Sequence, residues 1–575
     1  MTIRPFFAPL TLGLLTLSCA WSQQYTINTV AGNRTSGFAG DGGAPTSAEF
    51  SSPSGLALDS SNNLYIVDSV NQRIRKISGG AISTVAGNGT GGYSGDAAAA
   101  TSAELLNPTA VALDSSGNLY IADTSNHVIR MVTTGGTIST FAGNNTGGYA
   151  GDGGPAIDAE LDLPTGVAVD KSGNVYIADS ANNVIREVSG GNINTVVGGF
   201  AGQFLNDPES VLVDSFGNLY ISEQSGYRIS KFSNGNLTVL AGNGSIGFSG
   251  DNGPGTRASL DEPTGIALDS HGYLYICDTI NSRIRKLSPD GIITTIAGLG
   301  NPGYFGDGGP ATGALLYFPR GIVVDSSGNV YFSDTGNNIV RELQPVTPAI
   351  SAGGVVNAAS FTAQLSPGAL ASVFGSNFTG TGLDASAELP LPSSLGGVSV
   401  LVNGKAAPVL YVSSNQINFQ IPWETAAGSA TVAVSVNGLA SPKVNITVLA
   451  AAPGLFFQNS HAVVQNSDFS LNSPSNPAKV GGTIIAYLTG AGPVSNQPAD
   501  GVAAGSSPLS QVTSTVTASI GGQTATVSFA GLTPDFVGLW QTNIVIPSGL
   551  TQGSFPLTVT VGGQTSNAAN VSVTP

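Results

Sequence analysis

Short apolar segments separated by Gly- and Asn-containing turns recur along the first 345 residues. In one repeat they read GVAVD (166–170), NVYIAD (174–179), NVIREV (183–188) and NINTVVG (192–198). The first two segments are apolar at nearly every position, which is typical of strands covered on both faces. Gly173, in the turn DKSGN, suits the left-handed backbone of a tight hairpin. The pattern predicts a unit of four antiparallel strands.

This unit occurs six times. The segment that begins its first strand starts at Pro53, Pro108, Pro164, Pro208, Pro263 and Pro319. Repeated small sheets that are covered on both faces are typical of a β-propeller. A fourth-strand segment, TINTVAG (26–32), precedes the first unit, whereas the last unit ends at NNIVREL (337–343) without one. We therefore predict an all-β fold in which residues 24–345 form a six-bladed β-propeller closed by its N-terminal strand.

The turn between the second and third strands carries the pattern Asp-x-x-Asn-x-x-Ile-Arg, which resembles the NHL repeat. The resemblance implies a propeller that often serves as a platform for protein or ligand binding, although a few relatives are enzymes. Because the set recurs in five blades, we predict a structural role, with the carboxylate pairing with the guanidinium across a hairpin. The residues are Asp68, Asn71, Arg75, Asp123, Asn126, Arg130, Asp179, Asn182, Arg186, Asp278, Asn281, Arg285, Asp334, Asn337 and Arg341.

Five long loops connect the fourth strand of one unit to the first strand of the next. They share an aromatic residue (Phe38, Tyr93, Tyr149, Phe248 and Tyr304) and an aspartate (Asp41, Asp96, Asp152, Asp251 and Asp307). We expect the aromatic residues to wedge between blades, with stacking on a ligand as the alternative. One acid per loop is a poor calcium site, so we predict Asp-Gly turns and no cofactor, with calcium as the alternative.

The fourth unit departs from the others and suggests where a ligand binds. Its preceding loop is shorter, and Glu223 and Ser230 replace the motif aspartate and arginine. Glu209 and Arg320 follow the proline of units four and six, where most other units have threonine. The first strands of a propeller begin at the mouth of its central channel. We therefore predict a binding surface on the loop-bearing face that includes Glu209, Tyr227 and Arg320.

Residues that would indicate catalysis are scattered. His127, His271 and His461 are too far apart in the predicted fold to form a zinc site, and Cys277 lies in an apolar strand segment. The sequence contains no Gly-x-Ser-x-Gly elbow. A binding or scaffold function is therefore favoured. The alternative is an enzyme, such as a lyase or a lactone or glycan hydrolase, acting at the channel mouth.

The C-terminal part has a different texture, with few charges and strands of period two. The segment 396–422 parallels 514–547, and 428–448 parallels 553–573. We predict two Ig-like β-sandwiches, over 346–450 and 451–575. Segments such as SPGALASVFGSNF and QINFQIP resemble a TIG-like module of exported bacterial proteins, a resemblance that implies no particular chemistry.

The net charge limits the classes of partner, and the N-terminal segment indicates where the protein is located. The formal net charge is −16 and no basic cluster occurs, so nucleic acid is excluded as a predicted partner. Arg4 precedes a short apolar stretch (6–17), and we predict a signal peptide over residues 1–22 rather than a lipoprotein anchored at Cys19. No later segment is apolar enough for a transmembrane helix. We expect an exported protein, periplasmic, cell-surface or extracellular, with a protein, peptide or glycan ligand.

Overall fold

The computed structural model describes residues 25–199, 204–378, 389–436 and 438–575, together with the strand Asp384–Ala385. The predicted signal peptide, 1–22, lies outside the described residues. The chain divides into two compact units, Met1–Val346 and Thr347–Pro575. Within the described ranges, no helix is long and apolar enough to span a membrane.

The first unit is a six-bladed propeller in which each blade is an antiparallel sheet of four main strands, here called A to D from the channel outward. Strands A to D of blade one are Pro53–Leu58, Leu64–Asp68, Arg73–Ser78 and Ala81–Ala86. Those of blade two are Pro108–Leu113, Leu119–Asp123, Val128–Val132 and Ile138–Ala142. Those of blade three are Pro164–Val169, Val175–Asp179, Val184–Ser189 and Asn192–Val197. Those of blade four are Pro208–Val213, Leu219–Glu223, Arg228–Ser233 and Asn236–Ala241. Those of blade five are Pro263–Leu268, Leu274–Asp278, Arg283–Leu287 and Ile292–Ala297.

The N-terminal strand closes the ring, as the sequence predicts. Blade six takes its strands A to C from Pro319–Val324, Val330–Asp334 and Ile339–Pro345. Its strand D is Tyr25–Ala31, which pairs antiparallel with the third of these strands, placing Tyr25 opposite Pro345. The two ends of the propeller sequence are thus joined by backbone hydrogen bonds within one sheet.

Short elements decorate the connections. The strand Gly253–Pro254 extends the edge of blade five. Short 3₁₀ turns occur in the loops and in several B–C turns, at Pro45–Ser47, Ala100–Ser102, Thr124–Asn126, Ala156–Asp158, Ser180–Asn182, Gly255–Arg257, Ala311–Gly313 and Thr335–Asn337. The D–A loops and B–C turns share one side of the ring, called the loop face, and the A–B and C–D turns form the opposite face.

Neighbouring A strands approach closely around the channel. A Cβ atom on Gly321 would lie 2.1 Å from the carbonyl oxygen of Ser54, and one on Gly265 would lie 2.2 Å from that of Arg320. Such distances leave no room for a side chain, which explains the glycine in the repeated Pro-Thr-Gly segment. Farther out, the apolar side chains of strands A and B fill the space between blades, as with Ile121, Ile177 and Ile276, which are fully buried.

The second unit contains two β-sandwiches. In the first sandwich, one sheet has the strand order Ala349–Asn357, Leu370–Ser376, Gln416–Gln420, Val409–Val412 and Asp384–Ala385. The other sheet has the order Gln364–Leu365, Val444–Val448, Gly428–Val436, Val398–Val402 and Lys405–Ala407. The short strand Leu439–Ala440 pairs with Gly428–Val436 beside this order. Val373, Phe419 and Val434 are fully buried in the core between these sheets.

In the second sandwich the strand Gln523–Leu532 pairs with both layers, which links them into one sheet. The strand order is Gly454–Leu455, Thr483–Thr489, Trp540–Val545, Gln523–Leu532, Val516–Ile520, Gly553–Val561, Ala569–Thr574, His461–Ala462 and Phe457–Gln458. Three short strands, Val464–Gln465, Ala478–Lys479 and Gln564–Thr565, pair beside this path.

The two sandwiches share an apolar and hydrogen-bonded contact. The ring centroids of Trp423 and Trp540 lie 5.8 Å apart. The hydroxyl of Thr489 accepts from the backbone N–H of Leu370 at 2.8 Å and donates to the carbonyl of Gly538 at 2.8 Å. These contacts bind the sandwiches into one compact unit.

Candidate functional site

The Asp-Asn-Arg set of each regular blade is a buried ion pair that fastens a loop. In blade three, Nη1 of Arg186 lies 3.3 Å from Oδ2 of Asp179, and both side chains are fully buried. Nδ2 of Asn182 donates to Asp179 at 3.0 Å and to the carbonyl of Gly148, in the loop, at 2.7 Å. The same Arg–Asp pair occurs in blades one, two, five and six. In each of these blades the set joins strands B and C to each other, and in blade three it also joins them to the preceding loop.

The loop aspartate and aromatic residue also contact this arginine. Oδ1 of Asp152 lies 2.7 Å from Nη2 of Arg186, and the Tyr149 ring centroid lies 5.1 Å from the guanidinium carbon. The aromatic residues therefore cover the motif arginines, whereas the sequence led us to expect wedges between blades. Equivalent contacts involve Phe38, Tyr93, Phe248 and Tyr304, and the aspartates Asp41, Asp96, Asp251 and Asp307.

Blade four replaces the buried pair by a different one. Nε and Nη2 of Arg228 each donate to a carboxylate oxygen of Glu223 at 2.8 Å. The Ser230 hydroxyl donates to the same carboxylate at 2.5 Å, and the Asn206 N–H donates to it at 3.0 Å. The fourth unit has thus exchanged one carboxylate–guanidinium pair for another. The signal for this exchange in the sequence is Arg228, two positions before Ser230, which the predicted set of site residues omits.

Strand A carries a ring of inter-blade hydrogen bonds at its second position. The hydroxyls of Ser54, Thr109, Thr165 and Thr264 each donate to a backbone carbonyl of the next blade, at distances of 3.0, 2.8, 2.9 and 3.0 Å. The two remaining positions hold Glu209 and Arg320, neither of which can supply a hydroxyl. The ring is therefore interrupted by two charged side chains at the start of strand A.

Glu209 and Arg320 face each other across the channel mouth. Nη1 of Arg320 lies 3.9 Å from Oε1 of Glu209, and the two side chains are 41% and 17% exposed, respectively. Burial raises the pKa of Glu209, the Arg320 guanidinium opposes this shift, and the carboxylates of Asp207 and Glu262 add to it. Both charged residues line a cavity of about 870 Å³ that follows the six A strands. This end of the cavity is the candidate ligand site.

Tyr227, the third predicted site residue, lies elsewhere. It occupies the left-handed position of the B–C turn of blade four, with φ of 52°, and it does not belong to the described lining of the cavity. The equivalent residues of blades one, two, three and six accept hydrogen bonds from the next blade, as Asn183 does from the N–H of Asp207 at 2.7 Å. The structure thus brings Glu209 and Arg320 together and places Tyr227 at the boundary of blades four and five.

The potential catalytic residues are dispersed in the described parts of the chain. Nδ1 of His127 accepts from the N–H of Leu163 at 3.2 Å, which gives it a role in a turn. Cys277 is fully buried, and burial raises the pKa of its thiol. Within the described ranges, no group of three or more His, Cys, Asp or Glu residues is arranged to hold a metal ion.

Sequence comparisons match three family descriptions. The Teneurin NHL domain matches residues 87–150, 146–211 and 211–303, and the NHL repeat matches 50–77. The IPT/TIG domain matches 358–448. These matches cover parts of the propeller and the first β-sandwich.

Individual relatives share the propeller region. Protein SUPPRESSOR OF QUENCHING 1, chloroplastic, of Arabidopsis thaliana is 30% identical over 306 residues, covering 51% of this chain and 25% of that protein. NHL repeat-containing protein 2 of Bos taurus is 26% identical over 334 residues, covering 53% of this chain and 40% of that protein. The chain thus spans well under half of each of these relatives.

A comparison with solved structures matches an auxiliary nutrient binding protein from Bacteroides thetaiotaomicron. It is 17% identical, with a TM-score of 0.43, covering 56% of this chain and 77% of that chain. The repeated motif, the six-bladed ring and the family matches together identify the protein. It is an NHL-repeat β-propeller protein with a C-terminal Ig-like module of the IPT/TIG type.

Proposed function

We propose that the protein is an exported binding protein whose propeller presents the loop face to a protein, peptide or glycan ligand. The observation that carries this proposal is the interruption of the strand-A hydroxyl ring by Glu209 and Arg320. Four positions of the ring link neighbouring blades, whereas these two place opposite charges at the mouth of a cavity. The two charges form a long ion pair at 3.9 Å and are only partly buried, so a ligand that offers both a donor and an acceptor can also contact them.

The surroundings of the pair favour a polar ligand. Asp207 and Glu262 lie close enough to raise the pKa of Glu209, so the mouth carries more negative than positive charge. A peptide amine or a row of sugar hydroxyls can donate to Glu209, while carbonyl or ring oxygens accept from Arg320. The fastened loops around the mouth supply a preorganised surface, which lowers the entropic cost of binding.

The test uses the full chain in a thermal-shift panel of chito-oligosaccharides and short peptides. A compound at about a hundred times its Kd adds about 2.7 kcal/mol to the free energy of unfolding, which is a measurable shift. For each compound that shifts the Tm, Glu209→Gln and Arg320→Gln should weaken binding about tenfold or more, because each leaves a partner group unpaired. The matched control is Lys171→Ala, an exposed residue on the opposite face. Unchanged affinity in both site variants would refute this binding surface.

An enzyme acting at the same mouth is the second candidate. The raised pKa of Glu209 is the observation that favours it, because a carboxylate with raised pKa beside a cation can serve as a general base. A lyase or a lactone or glycan hydrolase would fit that chemistry. Turnover of such substrates by the full chain, abolished in Glu209→Gln and kept in Lys171→Ala, would establish the enzyme. Binding without turnover would establish the binding protein.

A further inference from the structure

The end of the cavity on the opposite face is built differently from the loop-face mouth. Of the six A–B turns, those of blades four and five alone line the cavity in the described structure, through Asp214, Phe216, Asp269 and their neighbours. Tyr220 and Lys231, from strands B and C of blade four, line the same region. At this end the cavity therefore extends over the A–B turns of blades four and five.

Phe216 is an exposed aromatic residue in one of these turns. Its side chain is 89% exposed. Its backbone N–H donates to Oδ1 of Asp214 at 2.9 Å, as that of Ser116 does to Asp114 in blade two. Four other blades have serine at this position, namely Ser61, Ser116, Ser172 and Ser327. The turn is thus held by the backbone N–H of Phe216, and the exposed phenyl ring contributes little packing to it.

Lys231 supplies a positive charge to the same end of the cavity. Its Nζ atom lies 5.0 Å from the centroid of the Tyr220 ring. The equivalent residue of blade one, Lys76, lies 3.5 Å from a carboxylate oxygen of Asp59. No such ion pair forms at Lys231 among the described residues, so its ammonium is held over a tyrosine ring without a carboxylate partner in contact.

The two aspartates at this rim are occupied in holding their turns. Asp214 accepts from the N–H groups of Phe216 and Asn218, from the Asn218 amide and from the Tyr220 hydroxyl. Asp269 accepts from the N–H groups of His271 and Tyr273 and from the Tyr275 hydroxyl. The oxygens of both aspartates are engaged, and hydrogen bonds from Asn218 and Phe216 together with the charge of Lys231 lower the pKa of Asp214. Lys231 is the cation that lines this end of the cavity among the described residues, so it is the group that can bind an anion.

We propose that this end of the channel is a second binding site, which takes an organic anion whose carboxylate is joined to a ring with a flat apolar face. The carboxylate pairs with Lys231, and the ring stacks on Phe216. Uronic acid sugars and aromatic acids both have this chemistry. The loop-face mouth is a separate site, because Glu209 and Asp214 lie at opposite ends of one strand, about 16 Å apart.

The test is isothermal titration calorimetry of the full chain at low ionic strength, with trigalacturonate, galactotriose and 4-methylbenzoate as probes. We expect one of the two acids to bind, and the tighter acid names the ligand class. The uncharged trisaccharide should bind at least about tenfold more weakly than trigalacturonate, because it lacks the charge-assisted contact. Increasing salt should weaken the binding of the acid.

Variants separate this site from the loop-face mouth. Lys231→Met should weaken binding about tenfold, Lys231→Arg should retain it, and Phe216→Ser, which installs the residue of the other blades, should weaken it about fivefold. His271→Ser, which also installs the residue of the other blades, is the control that should leave the affinity unchanged. Unchanged Tm values in the two weakened variants exclude a folding defect. Absence of binding by both acids, equal binding of the neutral sugar, or full affinity in Lys231→Met would overturn the proposal.

Discussion

The hydroxyl of Tyr25 lies 3.2 Å from the hydroxyl of Tyr275, although 250 positions separate the two residues. Tyr25 begins strand D of blade six and Tyr275 lies in strand B of blade five. Nζ of Lys286 lies 3.3 Å from the Tyr25 hydroxyl, and Tyr275 donates to Asp269 at 3.1 Å. The closing strand is therefore attached to the neighbouring blade as well as to its own sheet.

Removing the Tyr25 hydroxyl should weaken ring closure. Tyr25→Phe keeps the packing but deprives the Tyr275 hydroxyl and the Lys286 ammonium, both buried, of a partner. We expect the free energy of unfolding of the propeller to fall by about 1 kcal/mol, as for the loss of one hydrogen bond, because Tyr275 keeps its bond to Asp269. Urea denaturation of the full chain measures this, with Tyr93→Phe, a half-exposed tyrosine, as control. Equal stability of the two variants would contradict the prediction.

The buried arginines should be the most sensitive positions of the motif. Arg186→Ser leaves the carboxylate of Asp179 buried without its counter-ion, which typically costs about 3–5 kcal/mol. Blade four carries serine at the equivalent position, but there Arg228 pairs with Glu223. We therefore expect Ser230→Ala to cost about 1 kcal/mol, as for one hydrogen bond. Chemical denaturation of both variants checks this ranking, and a reversed order would refute it.

Stability should increase on mild acidification. Burial raises the pKa of the motif carboxyls Asp68, Asp123, Asp179, Asp278 and Asp334 to about 6, against a value of 3.8 for an exposed aspartate. Between these pH values the folded protein binds more protons than the unfolded chain. The free energy of unfolding therefore rises as the pH falls towards 4 and declines as the pH rises through 6.

Calorimetry of the full chain at about pH 7.5 and about pH 5 tests this dependence, with an expected increase in Tm of a few degrees at the lower pH. Asp123→Asn removes one of the five groups while keeping the shape of the side chain, so its Tm should depend less steeply on pH. A Tm that falls between these two pH values would show that the paired arginines, and not burial, dominate the titration of these carboxyls.

Calcium should have little effect on the propeller. The loop aspartates already contact arginines, and Oδ2 of Asp41 also accepts from the N–H and the hydroxyl of Thr84 at 3.2 and 2.7 Å. A cation would have to displace these donors. We expect the Tm of the full chain to change by less than about 1 °C between excess EDTA and millimolar calcium. A larger increase with calcium would restore the calcium alternative.

The ring and its closure were predictable because their signals are local. Each strand and turn of a blade follows from alternating apolar segments and from residues such as Gly173, and the displaced fourth strand at 26–32 indicates closure. The pairing of Asp179 with Arg186 is also local, since the two residues lie on adjacent strands of one hairpin. Short separations in sequence therefore sufficed for the fold and for the motif.

The contacts that the sequence left undetermined join segments farther apart. Arg186 meets Asp152 and Tyr149 only after the loop has folded back over its own blade. The pattern of apolar residues does not predict that the loop packs against this blade. Glu209 and Arg320 could be placed at the channel mouth from their position in the repeat. By contrast, the sequence alone did not show that Lys231 lines the cavity, because that depends on how far the cavity extends over the turns of blades four and five.

The attachment of each long loop to its own blade has a consequence for how the loop face can change. Asn71 donates to the carbonyl of Gly37 at 2.7 Å, and Asn281 donates to that of Gly247 at 2.8 Å, so each loop is held by a side chain of its own blade. A loop can thus be shortened or exchanged while its neighbours keep their shape, and blade four is a natural case of such a replacement. The propeller is in this sense a modular display scaffold, whose recognition surface can be diversified one segment at a time.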